Sequence, residues 1–202
     1  MSSTRCNEVC WKERNFPEIA QCARKLGATV VFVGESGLDA HCVYGRTWGR
    51  KGKTPVVRVS NSKYRVSILA AMGPDGSLHC RLHEGSVTGA VFLTFPGQVT
   101  RESEGKVIVV ADNASSRKSG LVLAWMAEHA AECEIEFQPT YAPEVNPVEL
   151  LRAWVKREAS QRASRTKAAL KRNLEAALET VKASPERVRA FCKERDCKYI
   201  IV

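Results

Sequence analysis

The sequence lacks any apolar run long enough to cross a membrane. Its longest runs, Ala28–Val33 and Val107–Ala111, fall far short of the roughly 20 residues that a bilayer requires. The first residues, MSSTRC, lack the apolar region of a signal peptide, so we expect a cytoplasmic protein with no membrane partner. With 44% apolar and 26% charged residues among 202, the composition excludes wholesale disorder and predicts one globular domain.

Closely spaced cysteine pairs of the kind that hold zinc are also missing. Eight cysteines are spread over the chain, and none belongs to a CxxC pair. A disulfide framework is not expected in a chain of this length without an export signal. A zinc site that joins the cysteine pairs near the two termini stays open as an alternative. The favoured interpretation is that the cysteines are scattered small core residues, as at Cys22 and Cys133.

Acidic residues are absent from residues 40–74, a stretch that carries seven basic ones. Residues 150–202 carry 14 basic and six acidic side chains, a net charge of +8. Since the whole chain has a net charge of +9, the remainder carries −6. Two basic segments around an acidic middle are typical of a protein that holds a polyanion at a carboxylate-rich site. A solubilising surface without a partner is the alternative.

Periodicity predicts alternating strands and helices. A short helix over Pro17–Lys25 precedes a buried strand at Thr29–Val33. The turn Gly73–Gly76 predicts a hairpin between strands Tyr64–Met72 and Leu78–Leu82. The order of elements predicts an α/β architecture with a mixed sheet flanked by helices. The other predicted elements are a loop at Gly45–Pro55, strands at Val56–Val59, Lys106–Ala111 and Glu134–Gln138, and helices at Ser86–Gln98, Lys118–Ala131, Asn146–Arg162, Lys167–Ala183 and Ser184–Cys192.

Two acidic positions stand apart from this background. An apolar strand ends in Asp112, and ligands gather at the carboxyl ends of strands in open α/β sheets. Three prolines in Pro139–Glu149 brace a turn into a helix whose first turn carries Glu149. Singly, a strand-end turn and a helix cap explain the two acids. Together, beside basic flanks, they indicate carboxylates that share divalent cations.

At these residues the sequence resembles the DDE transposases of the mariner and bacterial insertion-sequence six-thirty superfamily, whose catalytic core has an RNase H-like fold. In that family the second catalytic Asp lies in a strand and precedes Asn, as Asp112 does here. The third acid ends a PYSPELNPIE motif followed by Trp and Lys. This chain reads PTYAPEVNPVE up to Glu149, then has Trp154 and Lys156. The two acids have 36 residues between them, inside the family's narrow spacing.

The resemblance extends from about Phe16 to Val181. Upstream, GRTWGRKGKTP at Gly45–Pro55 matches the family's Trp, Gly and Thr-Pro segment. The resemblance implies a mixed five-stranded sheet of the RNase H-like kind in a core over about 16–181, with a helical extension over about 182–202. The family's helix-turn-helix domain is not expected, since too few residues precede the resemblance to form one.

The sequence departs from the family at the first catalytic acid. That Asp precedes Glu-Ser-Gly at the end of the first strand, and here Gly34 takes its place. Glu35 is a candidate substitute, but neighbours on a strand point to opposite faces, so its carboxylate would approach from the wrong side. Asp39 would reach the site only if the following loop folded back. Arg117 replaces a His that the family usually has, a change expected to tune the site.

The resemblance implies a metal-dependent cleavage and strand transfer of DNA. In the resembling enzymes two Mg²⁺ or Mn²⁺ ions activate water or a DNA 3′-hydroxyl and stabilise the leaving oxygen. The missing first Asp would bridge the ions, and Asp112 and Glu149 would each hold one. Because the loss of one preorganised catalytic group costs roughly 10²–10³ in rate, we expect a fold with DNA affinity but little cleavage. Activity rescued by Glu35 or Asp39, and a non-catalytic regulatory or assembly module, are the alternatives.

DNA, as transposon ends and target, is the implied partner, and the implied location is the nucleoid. A homodimer and a separate DNA-binding subunit are further expectations. Phosphate contacts are expected from the Arg46–Arg65 loop and from the Arg152–Arg172 helices. The residues expected to bind DNA are Arg46, Trp48, Arg50, Lys51, Lys53, Arg117, Arg152, Lys156 and Arg157.

Overall fold

A five-stranded mixed sheet forms the centre of the molecule. The computed structural model describes residues 3–39, 48–53, 56, 64–113, 119–140, 142–161, 164 and 166–201. The strands are β1 (Thr29–Asp39), β2 (Arg65–Met72), β3 (Leu78–Glu84), β4 (Val107–Ala111) and β5 (Cys133–Phe137). Their order across the sheet is β3-β2-β1-β4-β5. The pairs β1–β2 and β2–β3 are antiparallel, and β1–β4 and β4–β5 are parallel, so the predicted mixed sheet is confirmed.

Helices precede, separate and follow the strands. No helix in the described part of the chain is long and apolar enough to cross a membrane. Two 3₁₀ turns, Pro143–Val145 and Arg195–Ile200, lie in the carboxyl-terminal half. The helices are α1 (Ser3–Cys10), which continues as a π-helical turn over Trp11–Asn15, α2 (Phe16–Leu26), α3 (Gly89–Glu102), α4 (Gly120–Glu128), α5 (Pro147–Ser160), α6 (Lys167–Lys182) and α7 (Pro185–Cys192).

The two faces of the sheet bury separate cores because strand residues alternate between faces. One face carries Phe32 and Val110 and packs against residues of α2, α5, α6 and α7; we call it the α5 face. The other face carries Val31 and Val109 and packs against residues of α3 and α4; we call it the α3 face. Aliphatic side chains dominate both cores, which fixes the sheet between two helical layers.

Strand β1 is longer than the sequence predicts. The apolar run ends at Val33, but the strand continues to Asp39, since every residue from Phe32 to Asp39 has a partner on β2. Backbone pairing does not depend on the side chains, so a Gly- and Ser-containing segment can complete an antiparallel ladder. The predicted hairpin after it is confirmed, and Gly76 adopts the positive φ of 94° that its turn requires.

The predicted helices are present with shifted ends. For example, α3 begins at Gly89, three residues after the predicted start at Ser86, because Thr88 supplies the cap by accepting a hydrogen bond from the Val91 amide. The predicted loop at Gly45–Pro55 falls partly outside the described residues. Of the strand predicted at Val56–Val59, only Val56 is among the described residues.

Candidate active site and DNA-binding surface

The first and second motifs lie side by side, in the middle of β1 and directly after the carboxyl end of β4. The parallel register pairs Val33 with Ala111, so Gly34 and Asp112 follow at neighbouring positions. Since Phe32 and Val110 both face the α5 side, alternation also directs positions 34 and 112 to that side. The register therefore places Gly34 where a first acid would stand beside Asp112.

The third motif is anchored directly to β1. Asn146 caps α5, where its Oδ1 accepts a hydrogen bond from the Val148 amide at 3.0 Å. Its Nδ2 donates to the carbonyl oxygen of Val33 at 3.1 Å. The side chain is 3% exposed, so both bonds are shielded from water. One buried Asn thus fixes the first turn of α5, which carries Glu149, against the residue that precedes Gly34.

Val148 occupies the space beside Gly34. A Cβ built on Gly34 would lie 2.7 Å from Cγ1 and 3.1 Å from Cβ of Val148. Both are closer than carbon atoms approach without repulsion, and Val148 is fully buried. A β-branched side chain in a helix is stiff at χ1, so Val148 cannot turn away easily. The site therefore has no room for a side chain at position 34 as it is packed here.

Glu149 is paired with a basic residue of its own helix. Nη1 of Arg152 forms a hydrogen-bonded ion pair with Oε1 of Glu149, one turn along α5. The exposed fraction of the side chain is 32% for Glu149 and 25% for Arg152, so each is at least about two thirds buried. Arg152 is also one of the residues expected to contact DNA, and in this structure its guanidinium is paired with the third acid.

The buried polar atoms without a partner in the described part of the chain all neighbour these motifs. They are Ser36 Oγ, Asn113 Oδ1 and Arg152 Nε. Asn113 follows Asp112 and donates its Nδ2 to Thr140 Oγ1 at 3.1 Å. Unpaired polar groups in a protein interior are uncommon and concentrate where a site binds solvent or ligand. Each of the three motifs therefore has an unpaired polar atom in or next to it, around the position where Gly34 replaces the first acid.

The structure places the two candidate substitutes away from Asp112. Glu35 pairs with Leu69, whose side chain packs in the α3-face core, so its position is directed to that face. Asp39 ends β1 opposite Arg65, five residues beyond Gly34, which is roughly 16 Å along an extended strand. Residues 40–47, which would have to fold back to bring Asp39 to the site, lie outside the described residues. Neither residue lies on the face of Asp112 at its level in the sheet.

The donor set does not fit a two-ion centre. Such a centre needs several carboxylates converging on the metals. Among the described residues, no group of three or more His, Cys, Asp or Glu side chains is arranged to hold a metal ion. Asp112 and Glu149 are the remaining acids, and Glu149 already has a cationic partner. The same finding gives no support to a zinc site made of cysteines from the two termini.

The sequence analysis did not identify the residues near the two chain ends that hydrogen-bond to the third motif. Tyr199 donates its hydroxyl hydrogen to the Val145 carbonyl at 2.6 Å and accepts a hydrogen bond from Trp11 Nε1 at 3.2 Å. Its ring packs edge-on against Phe16 at a centroid distance of 5.0 Å. Burial raises the pKa of the Tyr199 phenol far above its ordinary value, so it stays a donor. Since Trp11 and Tyr199 are 188 residues apart, no local pattern predicts the contact.

The expected DNA-binding residues fall into three groups. Trp48 is fully exposed, and Arg50, Lys51 and Lys53 are exposed with it. On α5, Arg157 is exposed and Lys156 is half-buried. Arg46 and Arg117 lie outside the described residues. The exposed segment 48–53 is called the basic loop below. It has the accessible positive charge that phosphate contacts require.

A family model for DDE superfamily endonucleases matches residues 29–171, which include all three motifs. This chain belongs to that superfamily. No curated protein matches the chain. The DDE-superfamily match covers the sheet, the motif helices and the start of α6, so the predicted membership is confirmed.

Solved structures of a mariner transposase share the fold. The Mos1 strand transfer complex aligns with a TM-score of 0.70 and 15% identity over 98% of this chain and 61% of that chain. The Mos1 paired-end complex with Mn aligns with a TM-score of 0.69 and 12% identity over 98% of this chain and 61% of that chain. The Mos1 catalytic domain aligns with a TM-score of 0.61 and 12% identity over 99% of this chain and 97% of that chain. These matches confirm the RNase H-like fold, and the chain spans about three fifths of the first two transposase chains.

Proposed function

We propose that this chain is a transposase-type core that binds DNA and has little or no strand-cleavage activity. The observation that carries the proposal is the Gly34–Val148 contact, in which a valine methyl fills the space beside the first-acid position. DDE enzymes act on DNA, and the solved structures of similar fold include Mos1 paired-end complexes with the left transposon end, with Mn and with Mg. Those features support DNA as the substrate class for this chain.

The ion pair between Arg152 and Glu149 supports the same proposal. A guanidinium beside a carboxylate supplies positive charge where a metal ion would otherwise be needed. Leaving the Glu149 carboxylate partly buried without a partner would cost free energy. Arg152 therefore stabilises a metal-free arrangement of the third motif and competes with any cation for the same oxygen atoms.

The test is a nicking assay on supercoiled DNA with Mg²⁺ or Mn²⁺. We compare the unaltered chain with Gly34→Asp and with the double variant Gly34→Asp/Val148→Ala, in which the valine methyl groups no longer block the new side chain. We expect no metal-dependent nicking above background from the unaltered chain, little from Gly34→Asp, and clear nicking from the double variant. Adding Asp112→Asn to the double variant should abolish the nicking, which serves as the control.

Robust nicking by the unaltered chain, at the rate of the double variant, would refute the proposal. In that case Glu35→Gln and Asp39→Asn decide between the substitute acids, since the variant that loses activity identifies the acid in use. If no variant nicks DNA while all bind it, the non-catalytic regulatory or assembly module is favoured. The Arg152–Glu149 ion pair is compatible with that second candidate as well as with the first.

A further inference from the structure

An open groove lies on the α3 face, on the opposite side of the sheet from Asp112 and Glu149. Its volume is about 560 Å³, within the roughly 300–1,000 Å³ of small-ligand sites. Residues of β3, α3, α4 and the start of β5 line it. Because β3 and β5 are the two outermost strands, the groove runs across the sheet from one edge toward the other. We call it the α3–α4 groove.

An aromatic platform forms one wall of the groove. The rings of Trp125 and His129 stack at a centroid distance of 4.2 Å and an interplanar angle of 12°. His129 Nδ1 lies 3.0 Å from the Trp125 carbonyl oxygen, so the imidazole is held in this orientation. Trp125 and His129 both line the groove, so a planar ligand bound there would lie against this aromatic pair.

A glycine opens the groove toward that platform. A Cβ built on Gly97 of α3 would lie 3.8 Å from Trp125 Cζ2 and 3.5 Å from Arg101 Nη1. A longer side chain at this position would therefore enter the space between the indole and the guanidinium. Glycine in a helix interior costs roughly 0.5–1 kcal/mol relative to alanine, so its presence here leaves the groove open at a cost in stability.

Charged groups of both signs line the groove. Arg81 on β3 donates to Thr94 Oγ1 at 2.8 Å, which fixes its guanidinium beside α3. Arg101 is exposed at the end of α3. Glu132 lines the groove from the turn that precedes β5. Guanidinium groups bind phosphate, and a carboxylate accepts hydrogen bonds from the exocyclic amine of a base.

We propose that the α3–α4 groove binds an unpaired nucleotide, with its base on Trp125, its phosphate at Arg101 and Arg81, and its exocyclic amine at Glu132. Stacking of a base on an aromatic side chain contributes about 1–3 kcal/mol and does not depend on the base. The carboxylate adds a preference for cytosine, whose amine donates, over thymine, whose carbonyl in that position is repelled. The groove is separate from the carboxylate site and does not depend on the proposed function.

The experiment is titration calorimetry of the full chain with dCMP, with dTMP and with a short single-stranded oligodeoxycytidine. We expect saturable dCMP binding, weaker dTMP binding, and at least a roughly ten-fold loss of affinity in Trp125→Leu, which is the factor that base stacking provides. Gly97→Leu should abolish binding with all charges kept. Glu132→Gln should remove the preference for dCMP over dTMP. Arg24→Gln, an exposed change outside the groove, is the matched control and should have no effect.

The two sources of the nucleotide give different results that both support the site. Tighter binding of the oligonucleotide than of dCMP indicates a DNA strand, and equal binding indicates a free nucleotide. The proposal is overturned if dCMP does not bind at about 1 mM, or if Gly97→Leu and Trp125→Leu, folded by circular dichroism, bind it as the unaltered chain does. Binding of duplex DNA by the basic loop is measured in parallel. If the unaltered chain does not bind duplex DNA, that result counts against the proposed function and leaves the groove proposal unaffected.

Discussion

Gly34 has no side chain, and Val148 fills the space beside it. A methyl group added at position 34 would meet Val148 Cγ1 at 2.7 Å. Overpacking of a closed core costs typically about 1–3 kcal/mol, and this contact is buried on both sides. The glycine is therefore part of the packing of this site, beyond its effect on chemistry.

We predict that Gly34→Ala lowers the free energy of unfolding by about 1–3 kcal/mol because of this overlap. Val148→Ala should also destabilise the chain, by roughly 1.5–3 kcal/mol of lost burial. The double variant should be more stable than the sum of the two losses predicts, by about 1 kcal/mol or more, since alanine at 148 makes room for the methyl. Urea unfolding of the four proteins measures this coupling. Strictly additive losses would show that the two residues do not compete for space.

The cysteines give a second prediction at the residue scale. Burial raises the pKa of the Cys192 and Cys197 thiols to about 12, so almost none is thiolate at pH 8. Cys6, Cys10 and Cys22 are exposed. We expect iodoacetamide at pH 8 to modify the three exposed residues and to leave the two buried ones unmodified until the chain is unfolded, as measured by peptide mass spectrometry. Equal labelling rates in the folded chain would contradict this burial.

At this scale the sequence predicted part of the site. The replacement of the first acid by Gly34 and the opposite direction of Glu35 both follow from motif position and strand alternation. The filling of the vacant space by Val148 and the ion pair of Arg152 with Glu149 depend on where α5 sits above the sheet. The prediction that Cys22 is a core residue was wrong, since it is exposed, whereas Cys133 is buried as expected.

At the scale of elements, α5 is held by its cap. Asn146 joins α5 to β1 through one side chain that satisfies the Val148 amide and the Val33 carbonyl. The sequence predicts the cap from Asn-Pro, but the bond to β1 crosses 113 residues and needs the fold. The same holds for Tyr199, whose bond to Val145 could not be expected from an apolar tail.

We predict that Asn146→Ala lowers the free energy of unfolding by roughly 1.5–5 kcal/mol. The lost cap accounts for about 0.5–2 kcal/mol, and the buried Val33 carbonyl left without a donor for about 1–3 kcal/mol. Thr166→Ala is the matched control, because Thr166 caps α6 through the Ala169 amide without a second bond across the fold. It should lose only the capping contribution. Equal losses in urea unfolding would show that the bond to β1 contributes nothing.

At the scale of the whole molecule, the basic charge is distributed in segments. The basic loop is exposed and offers three cationic side chains, while α5 offers Arg157 and a half-buried Lys156. Composition and charge patterning predicted this distribution. They did not predict that Arg152 would pair with Glu149 of its own helix. Two charged side chains three residues apart on a helix can pair with each other or can both point into solvent, and the sequence does not distinguish the two arrangements.

We predict that duplex DNA binding weakens linearly in a plot of log affinity against log salt concentration. Each phosphate contact adds about −0.9 to the slope. Lys51→Gln/Lys53→Gln should make the slope shallower by about 1.8 and weaken binding at low salt. Lys25→Gln, an exposed change on α2, is the control and should leave the slope as it is. Fluorescence anisotropy over a salt series measures both effects, and an affinity that does not respond to salt would contradict phosphate binding by the loop.

The central claim is that the three motifs cannot together hold a pair of metal ions, and Mn²⁺ binding tests it most directly. Electron paramagnetic resonance counts the ions bound by the unaltered chain and by Gly34→Asp/Val148→Ala. The packing of Val148 on Gly34 and the Arg152–Glu149 ion pair predict no two-ion binding by the unaltered chain and a gain of bound Mn²⁺ in the double variant. Two Mn²⁺ ions bound per unaltered chain, and lost in Asp112→Asn, would contradict the account.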